Sequence, residues 1–463
     1  MTTAAIVSPY DFHPVGEVPV HDATHLKTVL DQASAAFEDR KSWLSVADRM
    51  GILERFSKLF ESQTDKLVAQ AAAEGGKPWQ DSLVEVKRAL NGIRLAIETL
   101  PHLTGTEIPM NLNASSANRL AYTFREPGGL VTAISAFNHP VNLVIHQVVP
   151  AIATGCPVVI KPASKTPLSC FTIVDLLHQA GLPPAWCQAV MCDSTTAKGL
   201  VTDSRINFLT FIGSARVGWS LRAELPPGAT CTLEHGGAAP VIIEPDADLQ
   251  DAIPLLVKGG FYHAGQVCVS VQRIYAHESI AKTVADALAE RAKHLIVGDP
   301  LDPKTEVGPL IHPDEVTRVA SWVKEAIDQG ATLLCGGKRL SDTCYAPTVL
   351  FNPPDHARVS TTEIFGPVVC VYGYATRDEA IQRANQLPLC FQSAVFTQNI
   401  HVAFDMVRRL KATTVLINDH TAFRVDWMPF GGRQESGLGI GGIPQSMMEM
   451  TAEKQWILRS PVL

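Results

Sequence analysis

An α/β fold with two parallel-sheet lobes is what this sequence predicts, on two observations. From Gly128 onward short apolar, β-branched runs alternate with helical stretches, the rhythm of βαβ units. That rhythm is interrupted near Glu234-His235-Gly236-Gly237, after which a second alternating block begins. The 463 residues, 46% of them hydrophobic, exceed one ordinary core and suit about two or three domains.

The stretch from about His21 to Leu100 is helical in pattern. Ile52-Leu53, Phe56, Leu59-Phe60 and Leu67-Val68 recur at three and four spacing, and Gly75-Gly76-Lys77-Pro78 interrupts them with a turn. A strand is expected at Leu130 to Ile134, a helix at about Asn142 to Ala153, and a strand at Pro157 to Lys161. A helix at about Ser169 to Ala180 follows, then strands at Gln188 to Met191 and Ile206 to Phe211. The second block runs through a strand at Pro240 to Glu244, helices at about Leu249 to Gly259 and Ala281 to Leu295, and a strand at Arg273 to Ala276 between them. Later strands are expected at Val368 to Tyr372 and Thr414 to Asn418. The seam between the blocks is a natural place for an active site.

Charge and composition exclude several classes. A net charge of -7, without a dense Lys/Arg run, leaves no footprint for nucleic acid. Apolar runs fall short of the ~20 residues a membrane span needs, and Met1 to Val7 has neither the basic start nor the apolar core of a secretory signal. The ten cysteines form no C-x-x-C pair and no zinc-ligand cluster, so no metal is expected. A cytoplasmic protein whose thiols are mostly small buried hydrophobes fits this pattern.

The chemistry-bearing motifs are modest one by one. In Gly265-Gln266-Val267-Cys268 a glycine lets the backbone approach a neighbour, and a cysteine after a tight turn near a helix start is placed for a lowered pKa. Taken alone, a buried inert thiol is the commoner fate. In Leu233-Glu234-His235-Gly236-Gly237 a glutamate at the end of a strand can act as a general base, or simply pair or cap. The Asn138 amide in Phe137-Asn138-His139-Pro140 can donate to an oxyanion, or cap the next helix. Lys161 stands at the carboxyl end of a strand, where open α/β sheets bind nucleotides. Phe211-Ile212-Gly213-Ser214 is a strand, glycine turn and helix start whose N–H groups can face a phosphate, without the G-x-G-x-x-G fingerprint. Glu363-Ile364-Phe365-Gly366-Pro367 and Pro429-Phe430-Gly431-Gly432 read singly as turns.

Their joint order is specific. Asn-x-Pro, Lys-Pro-Ala, Phe-x-Gly-Ser, Leu-Glu-x-Gly-Gly, Gly-Gln-x-Cys, Glu-Ile-Phe-Gly-Pro and Pro-Phe-Gly-Gly follow one another, and in this the chain resembles the aldehyde dehydrogenase superfamily from about Arg125 to Gly439. The resemblance implies a Rossmann-like nucleotide-binding lobe (1–108 and 125–235), a catalytic lobe (236–432) and a small β oligomerisation flap (109–124 and 449–463). It implies NAD or NADP as cofactor and a homodimer or homotetramer. Cys268 would be the nucleophile, Glu234 the general base, and Asn138, with the Cys268 N–H, the oxyanion hole. Lys161 would bind the adenosine ribose, the Gly213-Ser214 turn a phosphate, Glu363 the nicotinamide ribose and Phe365 the nicotinamide side. Glu234 favours water over coenzyme A as acyl acceptor, because the branch that acylates coenzyme A commonly lacks it. A coenzyme A-acylating enzyme and a non-catalytic protein of the same fold are the alternatives. Relatives preferring NAD often carry Glu at the position of Ser164, and serine leaves room for either nucleotide.

The substrate pocket departs from well-known relatives. His139 follows the asparagine where many members have Phe, and is expected to pack on Asn138 and tune the site indirectly. His146 falls where succinic semialdehyde dehydrogenases tend to have arginine. Arg424 falls in the loop lining the aldehyde entrance, and a guanidinium there suits an aldehyde with a carboxylate, sulfonate or phosphonate. The competing reading pairs Arg424 with Asp426 or Glu435, away from substrate.

Overall fold

The computed structural model describes residues 2–463 and contains two large sheets. The first has six strands, in the order Gly437–Leu438, Thr230–Glu234, Ile206–Ile212, Leu130–Ile134, Val158–Lys161 and Cys187–Ala189. Its strands run parallel except Gly437–Leu438, which lies antiparallel against Leu233 and Glu234. Val131, Ala133, Val158 and Ile160 are buried under the helix Asn142–Thr154, which is apolar around its circumference because it is enclosed on every side. Phe56, Phe60 and Leu67 of the N-terminal helices Val46–Ser62 and Thr64–Gly75 complete that core.

The second sheet has seven strands, in the order Thr332–Cys335, Thr348–Phe351, Val368–Tyr374, Val271–His277, Ala239–Ile243, Gln392–Phe396 and Thr414–Ile417. All its neighbours are parallel except the edge pair Thr332–Cys335 and Thr348–Phe351. The helices Leu249–Phe261, Glu278–Lys293 and Pro313–Asp328 bury Ile253, Val284 and Val319 in the core of this sheet. The α/β class and parallel sheets read from the sequence are the fold observed, and the strands at 130–134, 206–212 and 368–374 lie where the apolar runs put them.

A three-stranded antiparallel sheet joins Thr451–Arg459, Arg119–Pro127 and Glu107–Ile108. Its strand Thr451–Arg459 carries Trp456, Ile457 and Leu458 to the surface, about half exposed. A hairpin of Thr2–Val7 and Pro14–Val20 precedes the first helix, and no such element was expected there. Only Ile6 and Val18 of its strands are buried, so its alternation is too sparse to register as a period-two pattern.

Candidate active site

A cavity of about 830 Å³ opens at the carboxyl end of the six-stranded sheet, where the strand Thr230–Glu234 runs into the chain that crosses to the second sheet. Asn138, His139, Glu234, Cys268, Glu363 and Arg424 all line it. Open α/β sheets bind ligands at this end of their strands.

Cys268 is held by a strained turn. The backbone passes through left-handed conformations at His263 (φ 47°), Ala264 (φ 55°) and Gly265 (φ 70°). A Cβ on Gly265 would lie 2.1 Å from the Gly366 carbonyl oxygen, so the close approach expected of this glycine is real. Gln266 then pins the loop: its Oε1 accepts from the Ile311 N–H at 2.9 Å and its Nε2 donates to the Pro309 carbonyl at 3.2 Å. The strand Val271–His277 begins three residues after Cys268, so the thiol lies in a turn before a strand, not near a helix start as expected. Nor is its pKa lowered. Burial pushes the Cys268 thiol well up, the carboxylates of Glu234 and Glu363 push it further, and Arg424 opposes them. Eight of the other nine cysteines are buried, with Cys231 half-buried like Cys268, and none is disulfide-bonded.

Asn138 is buried, and its Nδ2 donates to the Gln266 carbonyl at 3.0 Å. That bond ties the amide to the turn that carries the thiol. The second N–H of the amide has no protein acceptor. Glu234 ends its strand with Oε1 3.9 Å from Arg424 Nη1, and burial raises its pKa while Arg424 and Arg88 oppose the rise. Glu363 reaches the same seam. Its Oε1 accepts from the Gly237 N–H at 3.1 Å, and burial pushes its carboxyl up to about 8. A Cβ on Gly236 would lie 2.0 Å from both Glu363 oxygens, so only glycine admits this approach.

Gly213, Ser214, Val217, Trp322 and Phe365 line one part of the cavity. The helix Ala215–Ala223 starts there, and its N-cap Ser214 makes no side-chain bond to the helix; Val217 N–H donates to the Ser214 carbonyl at 3.1 Å, which leaves the Ala215 and Arg216 N–H groups to face a phosphate. The Phe365 ring stands edge-on to Phe137 at 5.9 Å. Lys161 ends its strand, buried, with Nζ 3.2 Å from the Pro162 carbonyl, and Ser164 is exposed beyond it. Neither lines the cavity, although Ala163 between them does. Open N–H groups, a long cleft and apolar walls fit a nicotinamide dinucleotide.

The substrate side holds residues that the sequence reading missed. Arg88 lines the cavity and clamps Asp426, with Nη2 2.8 Å and Nε 3.1 Å from its two carboxylate oxygens. Asp426 also accepts from Asn142 at 3.2 Å and meets His146 Nε2 at 2.8 Å. His146 therefore lies behind the main cavity, engaged by Asp426, rather than in its wall. Burial lowers its pKa to about 4. Arg424 does not pair with Asp426, which is already taken, but stacks 3.5 Å over the Phe430 ring and faces Glu234. A signal for Arg88 was present. Asp81, Glu85 and Arg88 fall at i, i+4 and i+7 on the helix Trp79–Thr99, and charges repeating on a buried helix face call for a partner. Tyr262, also in the cavity wall, gave no such signal.

Among the described residues no cluster of His, Cys, Asp and Glu is arranged to hold a metal, and no helix is long and apolar enough to cross a membrane. A family model described as the aldehyde dehydrogenase family matches residues 1–456. A 3-sulfolactaldehyde dehydrogenase of Priestia aryabhattai is 36% identical over 455 residues, 98% of this chain and 94% of that protein. Aldehyde dehydrogenase 21 of Physcomitrella patens, solved with its reaction product succinate, superposes with a TM-score of 0.95 at 32% identity, covering 99% of this chain and 95% of that one. Glyceraldehyde-3-phosphate dehydrogenase GapN of Methanocaldococcus jannaschii, solved with NADP, gives a TM-score of 0.94 at 35% identity, covering 98% and 99%.

Proposed function

This chain belongs to the aldehyde dehydrogenase family, and on that premise we propose that Cys268, Asn138 and Glu234 carry its reaction on an aldehyde bearing an anionic group. The enzyme oxidises an aldehyde to a carboxylic acid with NAD or NADP. The assignment of residues rests on one observation: the nucleophile, an amide donor and a raised carboxylate converge on one cavity with two guanidinium groups in its wall.

The Cys268 thiol first loses its proton to solvent, and the thiolate then attacks the carbonyl carbon, whose π-electron pair moves to the carbonyl oxygen. The second N–H of the Asn138 amide and the Cys268 N–H donate to that oxyanion, which stabilises the tetrahedral thiohemiacetal. When bound, the nicotinamide dinucleotide supplies the hydride acceptor that turns this adduct into a thioester. Glu234 then takes a proton from water, whose oxygen adds to the thioester carbon, and the thiolate leaves as the acid forms. Its raised pKa makes Glu234 a stronger base than an ordinary carboxylate. Gly213 and Ser214 would hold the pyrophosphate, Lys161 and Ser164 the adenosine ribose, Glu363 the nicotinamide ribose and Phe365 the ring.

Arg424 supports an anionic substrate, because its guanidinium has no bidentate carboxylate partner, whereas Arg88 is already held by both oxygens of Asp426. Asp426 offsets Arg88 from behind, and Glu234 offsets Arg424 at 3.9 Å only. The relatives named for 3-sulfolactaldehyde and succinate handle a sulfonate and a carboxylate. Water as acyl acceptor follows from Glu234, and the coenzyme A alternative predicts a different product.

We assign the six-stranded sheet to nucleotide binding, the seven-stranded sheet to catalysis and the three-stranded sheet to oligomer contacts. The exposed Trp456, Ile457 and Leu458 support this last role, and a cytoplasmic homodimer or homotetramer is the expected form. Steady-state rates over acidic, aromatic and aliphatic aldehydes, with each nucleotide and with or without coenzyme A, test the whole reading. Reduced nicotinamide with free acid as product supports it, and a coenzyme A thioester or no turnover overturns it. Loss of turnover in Cys268→Ser tests the nucleophile.

A further inference from the structure

The loop that carries Asn138 is backed by a buried ionic chain that no step above uses. Lys77 is buried, and its Nζ lies 2.5 Å from Glu85 Oε2. Glu85 Oε1 accepts from the Val141 and Asn142 N–H groups at 2.8 and 2.9 Å, so with Lys77 three donors hold this carboxylate. The second partner of Lys77 is His139, whose Nδ1 lies 2.6 Å from Nζ.

An ammonium has donors only, so the imidazole must accept at Nδ1. A neutral imidazole that accepts at one nitrogen carries its proton on the other. Burial and the positive charges of Lys77 and Arg88 keep the ring neutral. His139 lines the cavity with its side chain 12% exposed, and among the described residues Nε2 has no hydrogen-bond partner. His139 follows Asn138 directly and both line the same cavity, so the ring shares the wall that carries the Asn138 amide. Tyr262 flanks the ring at 5.9 Å between centroids and His263 at 6.4 Å, which limits its tilt.

We propose that Lys77, held by Glu85, fixes His139 with its Nε2–H toward the substrate, and that this donor selects aldehydes carrying a hydroxyl beside the carbonyl. The inference rests on the aldehyde dehydrogenase reading above and narrows its substrate class to anionic 2-hydroxyaldehydes. A side chain such as Phe at this position would favour the deoxy compound. A site that offers a buried donor rejects the analogue that leaves it unpaired.

The test compares ligands that differ by that hydroxyl alone. Binding of 3-sulfolactate and 3-sulfopropanoate to the NADP-loaded enzyme is measured by calorimetry. The kcat/KM values for 3-sulfolactaldehyde and 3-sulfopropanal are measured in parallel. The wild type is expected to favour the hydroxylated member of each pair by about tenfold, the value of one neutral hydrogen bond. In His139→Phe that ratio falls to about one, whereas His139→Gln, which keeps an amide donor near the Nε2 position, retains part of it. A purely structural role would lower both members of a pair equally and leave the ratio unchanged, which overturns the proposal. Equal affinity of the wild type for the two acids also overturns it, whether or not any variant folds. Failure of every aldehyde to reduce the nucleotide would refute the dehydrogenase reading instead, because the ratio of acid affinities judges His139 without turnover.

Discussion

Arg424 Nη1 lies 3.9 Å from Glu234 Oε1, with the guanidinium stacked 3.5 Å over Phe430. One cation thus faces the candidate base and packs on an aromatic ring at the same time. Arg424 lowers the pKa of both Glu234 and Cys268, against the burial that raises each. It is therefore placed to act on the charge of the site as well as on an anionic substrate.

Glu234→Gln separates the two half-reactions. Acylation should survive, so rapid mixing should show a burst of reduced nicotinamide of about one equivalent per site. Steady-state turnover should then fall by about 10²-fold or more, the usual contribution of a general base. The same change removes a negative charge that raises the Cys268 pKa, so iodoacetamide should alkylate the variant faster than the wild type at neutral pH. Slower alkylation, or turnover lost together with the burst, would contradict the role given to Glu234.

Arg424→Met should separate substrates by charge. For a sulfonated or carboxylated aldehyde KM should rise by about ten- to a hundredfold, the loss of a charge-assisted hydrogen bond in a shielded site. For propionaldehyde the change in KM should stay within about threefold. Equal effects on charged and neutral aldehydes would show that Arg424 serves Glu234 alone.

Glu363 gives the unliganded enzyme a defined pH dependence. Its carboxyl is pushed from 4.5 in the unfolded chain up to about 8 in the fold. The native state then holds a proton that the unfolded chain has released, and stability falls as pH rises between those values. This contribution is fully present below 4.5 and is lost as pH passes about 8. Glu363→Gln should flatten the decline of Tm across that window, measured by calorimetry without nucleotide. An unchanged slope would mean that another group controls it.

Gly265→Ala should be severe although alanine is small. The left-handed φ of 70° already disfavours a side chain, and the new Cβ would strike backbone, the Gly366 carbonyl oxygen at 2.1 Å. Backbone cannot retreat without moving the turn that carries Cys268 and the strand start behind it. Loss of about 1–3 kcal/mol in stability and of most activity is expected, read by chemical unfolding and by turnover. Near-wild-type values on both would show the turn to be pliable.

How much was legible in advance varied with the kind of signal. The parallel strands at 130–134, 206–212 and 368–374 were legible because a strand buried on both faces must be a continuous apolar run. The hairpin at 2–20 was not, because its strands bury so few side chains. Asn138, Glu234, Cys268, Glu363 and Arg424 were named from motif order, and they do share one cavity. Lys161 and Ser164, named in the same way, stand outside its lining, and His146 turns to Asp426 instead. The spacing of Asp81, Glu85 and Arg88 marked a charged helix face, but the roles of Arg88, Glu85 and Lys77 depend on partners far along the chain, such as Asp426 and His139.

By itself the sequence determined the α/β class and the family and named candidates for the reacting groups, since periodic burial and local turn chemistry are written in neighbouring residues. Only the tertiary structure decided the electrical state of those groups. Whether Cys268 is raised or lowered, which carboxylate Arg424 faces and which nitrogen of His139 bears the proton all depend on charges brought together from distant segments. Electrostatic energy follows distance and burial in space, and neither is a property of position along the chain.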